Sequence, residues 1–168
     1  MAIGQSKQRL DAEAKVTGRA RYTDDMGLPG MRHAAYVHST IAHGMVLSID
    51  ASEALALPGV DAVFTADDVP GFLFPTAGHP YSMDPSHGDV ADRLLLTKHV
   101  RYYGDEVAVV VARDGLTARK AAHLDKVEYE PLPVMTSAET ALAPGAPVLQ
   151  PPVHPAGTLL NHHTLECN

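Results

Sequence analysis

The chain has 168 residues, 45% of them hydrophobic and 20% charged, which supports a folded domain and excludes wholesale disorder. Its net charge of −7, without a cluster of lysines and arginines, excludes the basic surface that nucleic-acid binding needs. No apolar run approaches the roughly 18 residues of a transmembrane helix, and the N-terminus lacks the apolar stretch of a secretory signal.

Turn signals divide the first part of the chain into three strands and one helix. Residues 1–30 are polar and end in a Gly-Leu-Pro-Gly turn, which predicts an N-terminal extended segment. Asp50 and Glu53 have the spacing of a capping box, and Pro58 with Gly59 ends the helix that this box opens. In chain order, the pattern predicts strands at 31–39 and 46–50, a helix at 51–57 and a strand at 60–65.

A long irregular stretch follows at 71–92. It is rich in proline and glycine, and it carries the aromatic residues Phe72, Phe74 and Tyr81. A loop of this length inside a compact domain is typical of a functional or disordered segment.

The second part of the chain predicts the most buried element of the fold. Residues 107–112 are apolar at every position, which predicts a central strand that is covered on both faces. Asp114 is placed to cap a helix, and clean alternation predicts a further strand at 126–130. Thr136 and Glu139 have capping-box spacing, which predicts a last short helix.

Together these elements predict an α+β (mixed α/β) fold, with a mixed sheet and two to three short helices. Residues 31–143 form this domain. From residue 144 onward, five prolines fall within twelve residues, which predicts a Pro-rich linker at 144–168. Such a linker indicates that the chain is the front piece of something longer.

Ten histidines raise the hypothesis of a metal site, but no two have the His-x3-His spacing of one helical face. The sequence therefore favours surface or hydrogen-bonded histidines. Asp24 and Asp25 are interpreted as caps of the following turn rather than as catalytic carboxylates, and Gly104 as a backbone turn. The single cysteine, Cys167, excludes an internal disulfide and multi-cysteine zinc sites, which favours a reducing, cytoplasmic location. Residue chemistry alone indicates no self-sufficient active site, nucleic-acid partner or membrane partner.

A series of short blocks shares its order and spacing with a known family. The blocks are 9–11 (RLD), 15–20 (KVTGRA), 22–25 (YTDD), 41–44 (IAHG), 57–60 (LPGV), 68–71 (DVPG), 100–105 (VRYYGD), 107–112 (VAVVVA) and 127–134 (VEYEPLPV). Across about residues 4–140, the chain resembles the N-terminal α/β-hammerhead domain of the molybdenum-binding subunit of xanthine dehydrogenase. This subunit is a member of the xanthine dehydrogenase and aldehyde oxidase family.

The resemblance implies a complete enzyme that hydroxylates purines such as hypoxanthine and xanthine with oxygen from water. A molybdenum–pterin cofactor takes up the electrons, and [2Fe-2S] clusters and FAD on partner subunits pass them to an acceptor. The family's pterin-binding loops and base lie beyond the hammerhead domain. We therefore expect no catalytic, cofactor-binding or metal-binding residue in this chain, and no activity from it alone.

The resemblance also implies partners. We expect the linker at 144–168 to lead into a molybdopterin-binding domain, the remainder of the molybdenum subunit. The family's opening motif starts almost at Met1, which favours a separate molybdenum subunit with Fe-S and FAD subunits encoded apart.

The resemblance further implies that the loop after the Asp-x-Pro-Gly turn approaches the substrate funnel, so that Phe72, Phe74, His79 and Tyr81 border substrate access. An ordinary surface loop is the alternative. Two other functions stay open. One is a stand-alone metal- or ligand-binding module, and the other is the same domain from an aldehyde or other N-heterocycle hydroxylase.

Overall fold

The computed structural model describes residue 4 and residues 6–74 and 91–149. His79, Tyr81 and Cys167 lie outside the described residues. The chain divides between Met31 and Arg32 into two compact units. Among the described residues, no helix has the length and apolar character needed to cross a lipid bilayer.

The N-terminal unit contains short helices, and the prediction of an extended segment at 1–30 is wrong there. Helix α1 spans Ala12–Val16, and a 3-10 helix spans Thr23–Asp25. Asp11 and Lys15 form an ion pair of 2.6 Å at the i, i+4 spacing, which supports α1 in a sequence without an apolar stripe. Asp25 accepts a hydrogen bond from the backbone N–H of Tyr22, so it caps the 3-10 helix that contains it rather than the following turn that the sequence predicts.

The second unit is built on a first sheet with β5 at its centre. Strands β1 (His33–His38) and β3 (Val60–Thr65) both pair antiparallel with β5 (Glu106–Ala112). The predicted central position of β5 is confirmed. The inner face of this sheet carries small and branched apolar side chains.

A second sheet has β2 at its centre. Strand β2 (Gly44–Asp50) pairs antiparallel with β4 (His99–Val100) and β6 (Lys126–Pro131). The α+β fold class is confirmed, but the expected mixed sheet is replaced by two antiparallel sheets. The alternation of apolar and polar residues identifies a strand, but it does not show which strand pairs with it. Here the paired strands are distant in sequence.

Three further helices lie in the second unit: α2 (Ser52–Ala56), α3 (Gly115–Ala122) and α4 (Ala138–Ala141). Asp114 caps α3 as predicted, since its Oδ1 accepts a hydrogen bond from the N–H of Thr117 at 2.7 Å.

Two predicted capping boxes are wrong in detail. Asp50 accepts from the N–H of Ser52 rather than from the third helical residue, and Glu53 pairs with Lys126 at the start of β6. A long-range charge partner thus replaces the local box. Helix α4 is capped by Ser137, one residue after the predicted Thr136, through the N–H of Thr140.

The core lies between the first sheet, helices α2 and α3, and the second sheet, whose Val46, Ile49, Val127 and Tyr129 pack against the buried cluster. Helix α3 packs against β1 and β5, and α2 packs against β3. The buried cluster consists of valine and alanine: Val37, Ala54, Val100, Val107, Ala108, Val110 and Ala121. The opposite face of β5 is only half-buried, so the expectation that this strand is covered on both faces is not met by the described residues.

Candidate functional site

The base of the loop at 71–92 is closed by a backbone bridge. Phe74 donates its N–H to the carbonyl of Arg93 at 2.9 Å, and Arg93 donates its N–H to the carbonyl of Phe74 at 3.2 Å. This pairing holds together the two ends of the loop that the sequence singles out. It also fixes the backbone of Arg93, whose side chain begins the candidate site.

The Arg93 guanidinium is held by acidic and aromatic neighbours. Its Nη2 donates to Glu106 Oε2 at 2.7 Å and lies 3.8 Å from Asp105 Oδ1. Its Cζ lies 5.1 Å from the centre of the Tyr102 ring, a cation–π distance. The Tyr102 hydroxyl donates to the same Glu106 oxygen at 3.4 Å. We call these four residues the Arg93 cluster.

A tight turn places the acidic members of the cluster. Gly104 has φ of 92°, in the left-handed region that favours glycine, so its predicted role as a backbone turn is confirmed. The turn is tied to Ser39, whose N–H donates to the carbonyl of Asp105 at 2.8 Å. Asp105 is only 5% exposed, and its Oδ2 accepts the N–H of Arg101 at 3.0 Å. The Asp105 carboxylate is therefore held in a fixed orientation.

Three members of the Arg93 cluster, Arg93, Tyr102 and Asp105, border a cavity of about 220 Å³. The cavity is smaller than the roughly 300–1,000 Å³ of typical small-molecule sites. Arg101 also borders it, and the Nε of that residue is buried without a hydrogen-bond partner. The wall consists of Arg93, Leu94, Thr97, Arg101, Tyr102, Asp105 and Leu149.

The electrostatics of the cluster favour a fixed contact rather than proton transfer. Burial opposes the charged form of Arg93, but Tyr102, Glu106 and Asp105 together keep its pKa above the ordinary value. Burial and the Asp105 carboxylate raise the pKa of the Tyr102 hydroxyl. Neither side chain exchanges a proton near neutral pH. The arrangement is suited to holding the loop base and the β4–β5 connection in place.

The structure places two of the four predicted access residues. Phe72 is 68% exposed beside the loop base, and Phe74 is half-buried in the bridge to Arg93. Their role in substrate access stays a prediction. Arg93 was not among the site residues predicted from the sequence. The sequence feature that could have indicated this site is an arginine beside the loop, with Glu106 of a Gly-Asp-Glu sequence thirteen residues later.

Two of the ten histidines meet at the end of the second sheet. His43 and His99 approach through their Nε2 atoms at 3.1 Å, and His43 Nδ1 lies 2.6 Å from the carbonyl of Pro133. Because a carbonyl only accepts, His43 Nδ1 donates to Pro133, and the Nε2 of a neutral His43 ring accepts from His99. Burial, together with the charge of Arg101, lowers the pKa of His99. These two side chains match the hydrogen-bonded histidines that the sequence favours.

The similarity to known proteins extends over most of the chain. The family profile described as aldehyde oxidase and xanthine dehydrogenase, a/b hammerhead domain, matches residues 17–133. The xanthine dehydrogenase molybdenum-binding subunit of Escherichia coli O157:H7 is 55% identical over 157 residues, which are 94% of this chain and 20% of that protein. The carbon monoxide dehydrogenase large chain of Afipia carboxidovorans is 40% identical over 148 residues, which cover 88% of this chain and 17% of that one.

Solved structures share the fold. The aldehyde oxidoreductase of Desulfovibrio gigas superposes with a TM-score of 0.71 at 36% identity, over 86% of this chain and 16% of that chain. Reconstituted CO dehydrogenase from Oligotropha carboxidovorans superposes with a TM-score of 0.73 at 37% identity, over 86% of this chain and 17% of that chain. The chain therefore spans about one fifth of the length of the curated relatives it matches.

Proposed function

This chain belongs to the aldehyde oxidase and xanthine dehydrogenase family, and we propose that it is the front domain of a xanthine dehydrogenase molybdenum-binding subunit. The observation that carries the proposal is the 55% identity to the Escherichia coli molybdenum-binding subunit over 157 residues. The carbon monoxide dehydrogenase large chain is less similar, at 40%.

The complete enzyme hydroxylates hypoxanthine and xanthine with oxygen from water. A bound molybdenum–pterin cofactor supplies the two-electron chemistry, and [2Fe-2S] and FAD subunits carry the electrons onward in the cytoplasm. Aldehyde or other N-heterocycle hydroxylation is the competing activity, since an aldehyde oxidoreductase shares the fold at 36% identity.

The described residues do not fit the cofactor. In the part of the chain that the structure describes, no three His, Cys, Asp or Glu side chains gather as metal ligands. The cavity beside the Arg93 cluster, at about 220 Å³, is below the size range of typical small-molecule sites. We propose that the remainder of the subunit holds the cofactor, and we derive no chemical step from this chain.

The contribution of this chain is to present the loop at 71–92. The bridge between Phe74 and Arg93 and the ion pair from Arg93 to Glu106 anchor the loop base to the central strand β5. Phe72, exposed next to that base, borders substrate access together with Phe74, His79 and Tyr81. The domain alone is inactive.

The test is to purify the complete subunit of the same gene with its Fe-S and FAD partners. We expect molybdenum in the purified enzyme and conversion of hypoxanthine to xanthine and urate, with incorporation of ¹⁸O from labelled water. An aldehyde and carbon monoxide serve as comparison substrates. Turnover of an aldehyde with no turnover of either purine would contradict the proposed substrate class. The 168-residue chain, assayed alongside, is expected to be inactive.

A further inference from the structure

The outer face of the first sheet carries two rows of apolar side chains, each running across its three strands. Directly paired residues on antiparallel strands point to the same face of a sheet. Tyr36 pairs with Val109, and Val109 pairs with Phe64 on the other side. The neighbouring row repeats this pattern with smaller residues. We call the six residues the outer face: Ala34, Tyr36, Ala62, Phe64, Val109 and Val111.

This face is open, whereas the opposite face of the same strands is covered. Tyr36 is 45% exposed and Phe64 is 39% exposed, and Val109 between them is half-buried. On the inner face, Val37 and Val110 are buried in the core cluster that packs with α2 and α3. A sheet face of six apolar residues with two exposed aromatics is the kind of patch that marks an interaction site.

Charged groups border the outer face at both ends. Arg32 and Asp61 form an ion pair of 2.5 Å beside the start of β1. At the other end, His38 pairs with Glu106 across β1 and β5. An apolar centre with a polar rim is the usual anatomy of a protein interface.

We propose that another domain of the same polypeptide, within the remainder of the subunit, packs on the outer face through uncharged aliphatic and aromatic side chains. The inference rests on the proposed function, because it requires that remainder to exist. It extends the proposed function by naming the surface through which this domain is joined to it.

The size of the face decides between a covalently linked partner and a second copy. A stable interface between separate proteins takes about 20–30 residues from each side, far more than these six. A segment of the same chain avoids most of the entropic cost of association, so a small apolar patch is sufficient for it. The relatives that this chain matches are about five times longer, and the additional length of such a subunit contains the segment that the proposal requires.

The first test is radical footprinting with mass spectrometry on the wild-type complete subunit and on the 168-residue chain. We expect Tyr36 and Phe64 to be labelled in the chain and at least five-fold less labelled in the complete subunit. Leu116, which is 58% exposed on α3, is the control and keeps its labelling in both. Equal labelling of Tyr36 in the two proteins would overturn the proposal.

The second test introduces a charge into the face. Tyr36→Lys and Phe64→Lys are expected to lower the melting temperature of the complete subunit by several degrees, whereas the matched control Leu116→Lys leaves it unchanged. If the 168-residue chain is a dimer in sedimentation that Tyr36→Lys dissociates, the occupant is a second copy and the proposal fails. Neither readout depends on turnover, so an error in the proposed substrate class leaves the outcome of these tests unaffected.

Discussion

Asp125, between α3 and β6, carries a carboxyl group whose environment disfavours its charge. Both of its oxygens are buried without a hydrogen-bond partner. Burial, with a smaller effect from the Asp50 carboxylate, raises the pKa of Asp125 from 3.8 to about 6. The folded state therefore holds this proton more tightly than the unfolded state does. The contribution to stability is fully present below pH 4 and is lost as the pH rises to about 6.

Asp125→Asn removes this charge and is expected to stabilise the protein at neutral pH. A shift of two pKa units corresponds to about 3 kcal/mol, and solvent screening of the half-buried side chain reduces the expected gain to about 1 kcal/mol. Urea unfolding at pH 4 and pH 7 measures the effect, with a difference between variant and wild type at pH 7 only. Asp24→Asn, in the N-terminal unit, is the control. A gain of equal size at both pH values would contradict the assignment.

Gly44 shows how closely two backbones approach at the start of β2. A Cβ atom at this position would lie 2.5 Å from the Glu130 carbonyl oxygen of β6 and 2.5 Å from Ile41 Cδ1. The oxygen belongs to the backbone of a paired strand and cannot move away without opening the β2–β6 ladder. Only glycine fits this contact.

Gly44→Ala is accordingly expected to lower the free energy of unfolding by about 1–3 kcal/mol, the usual cost of overpacking. The matched control is Gly71→Ala, because a Cβ atom there meets nothing within 4 Å. Urea titration of both variants checks the pair. If the two variants unfold at the same urea concentration, the close approach is not a constraint.

At the scale of elements, the Arg93 side chain ties the loop base to β5 through its ion pair with Glu106. Arg93→Gln keeps a side chain that donates hydrogen bonds, but it removes the charge shared with Glu106 and the cation–π contact with Tyr102. We expect a loss of about 1–2 kcal/mol and faster hydrogen exchange at the Phe74 amide, which bonds to the carbonyl of Arg93. Arg113→Gln, at an exposed ion pair with Asp114, is the control. Unchanged exchange at Phe74 would show that the bridge holds without the cluster.

Elements with local signals were predictable from the sequence. The apolar run at 107–112 predicts β5, and Asp114 predicts the start of α3, because both depend on neighbours within a few residues. The prediction of a capping box at Asp50 was wrong because Glu53 forms an ion pair with Lys126, which lies 73 residues away in the sequence. The division into two sheets and the Arg93 cluster also depend on long-range pairing, which periodicity does not encode.

At the scale of the whole molecule, the two faces of β5 differ in how far they are buried. The inner face is satisfied by α2 and α3 within this chain. The outer face keeps Val109 and Val111 half-buried although the sequence makes them as apolar as the core. If the proposed domain packs on the outer face, β5 is covered on both faces, as its apolar sequence predicts.

The loop at 71–92 gives the prediction that links this domain to turnover by the complete enzyme. Phe72 is 68% exposed and makes no contribution to the buried core, so Phe72→Ala leaves folding intact. If Phe72 borders substrate access, this change raises the KM for hypoxanthine and xanthine by about three- to ten-fold, since it loses roughly 1 kcal/mol of aromatic contact, and leaves kcat nearly constant. Leu116→Ala, at a similarly exposed residue on α3, is the control and keeps both constants. Steady-state kinetics with both purines decide the matter, because an unchanged KM for each would assign Phe72 to an ordinary surface loop.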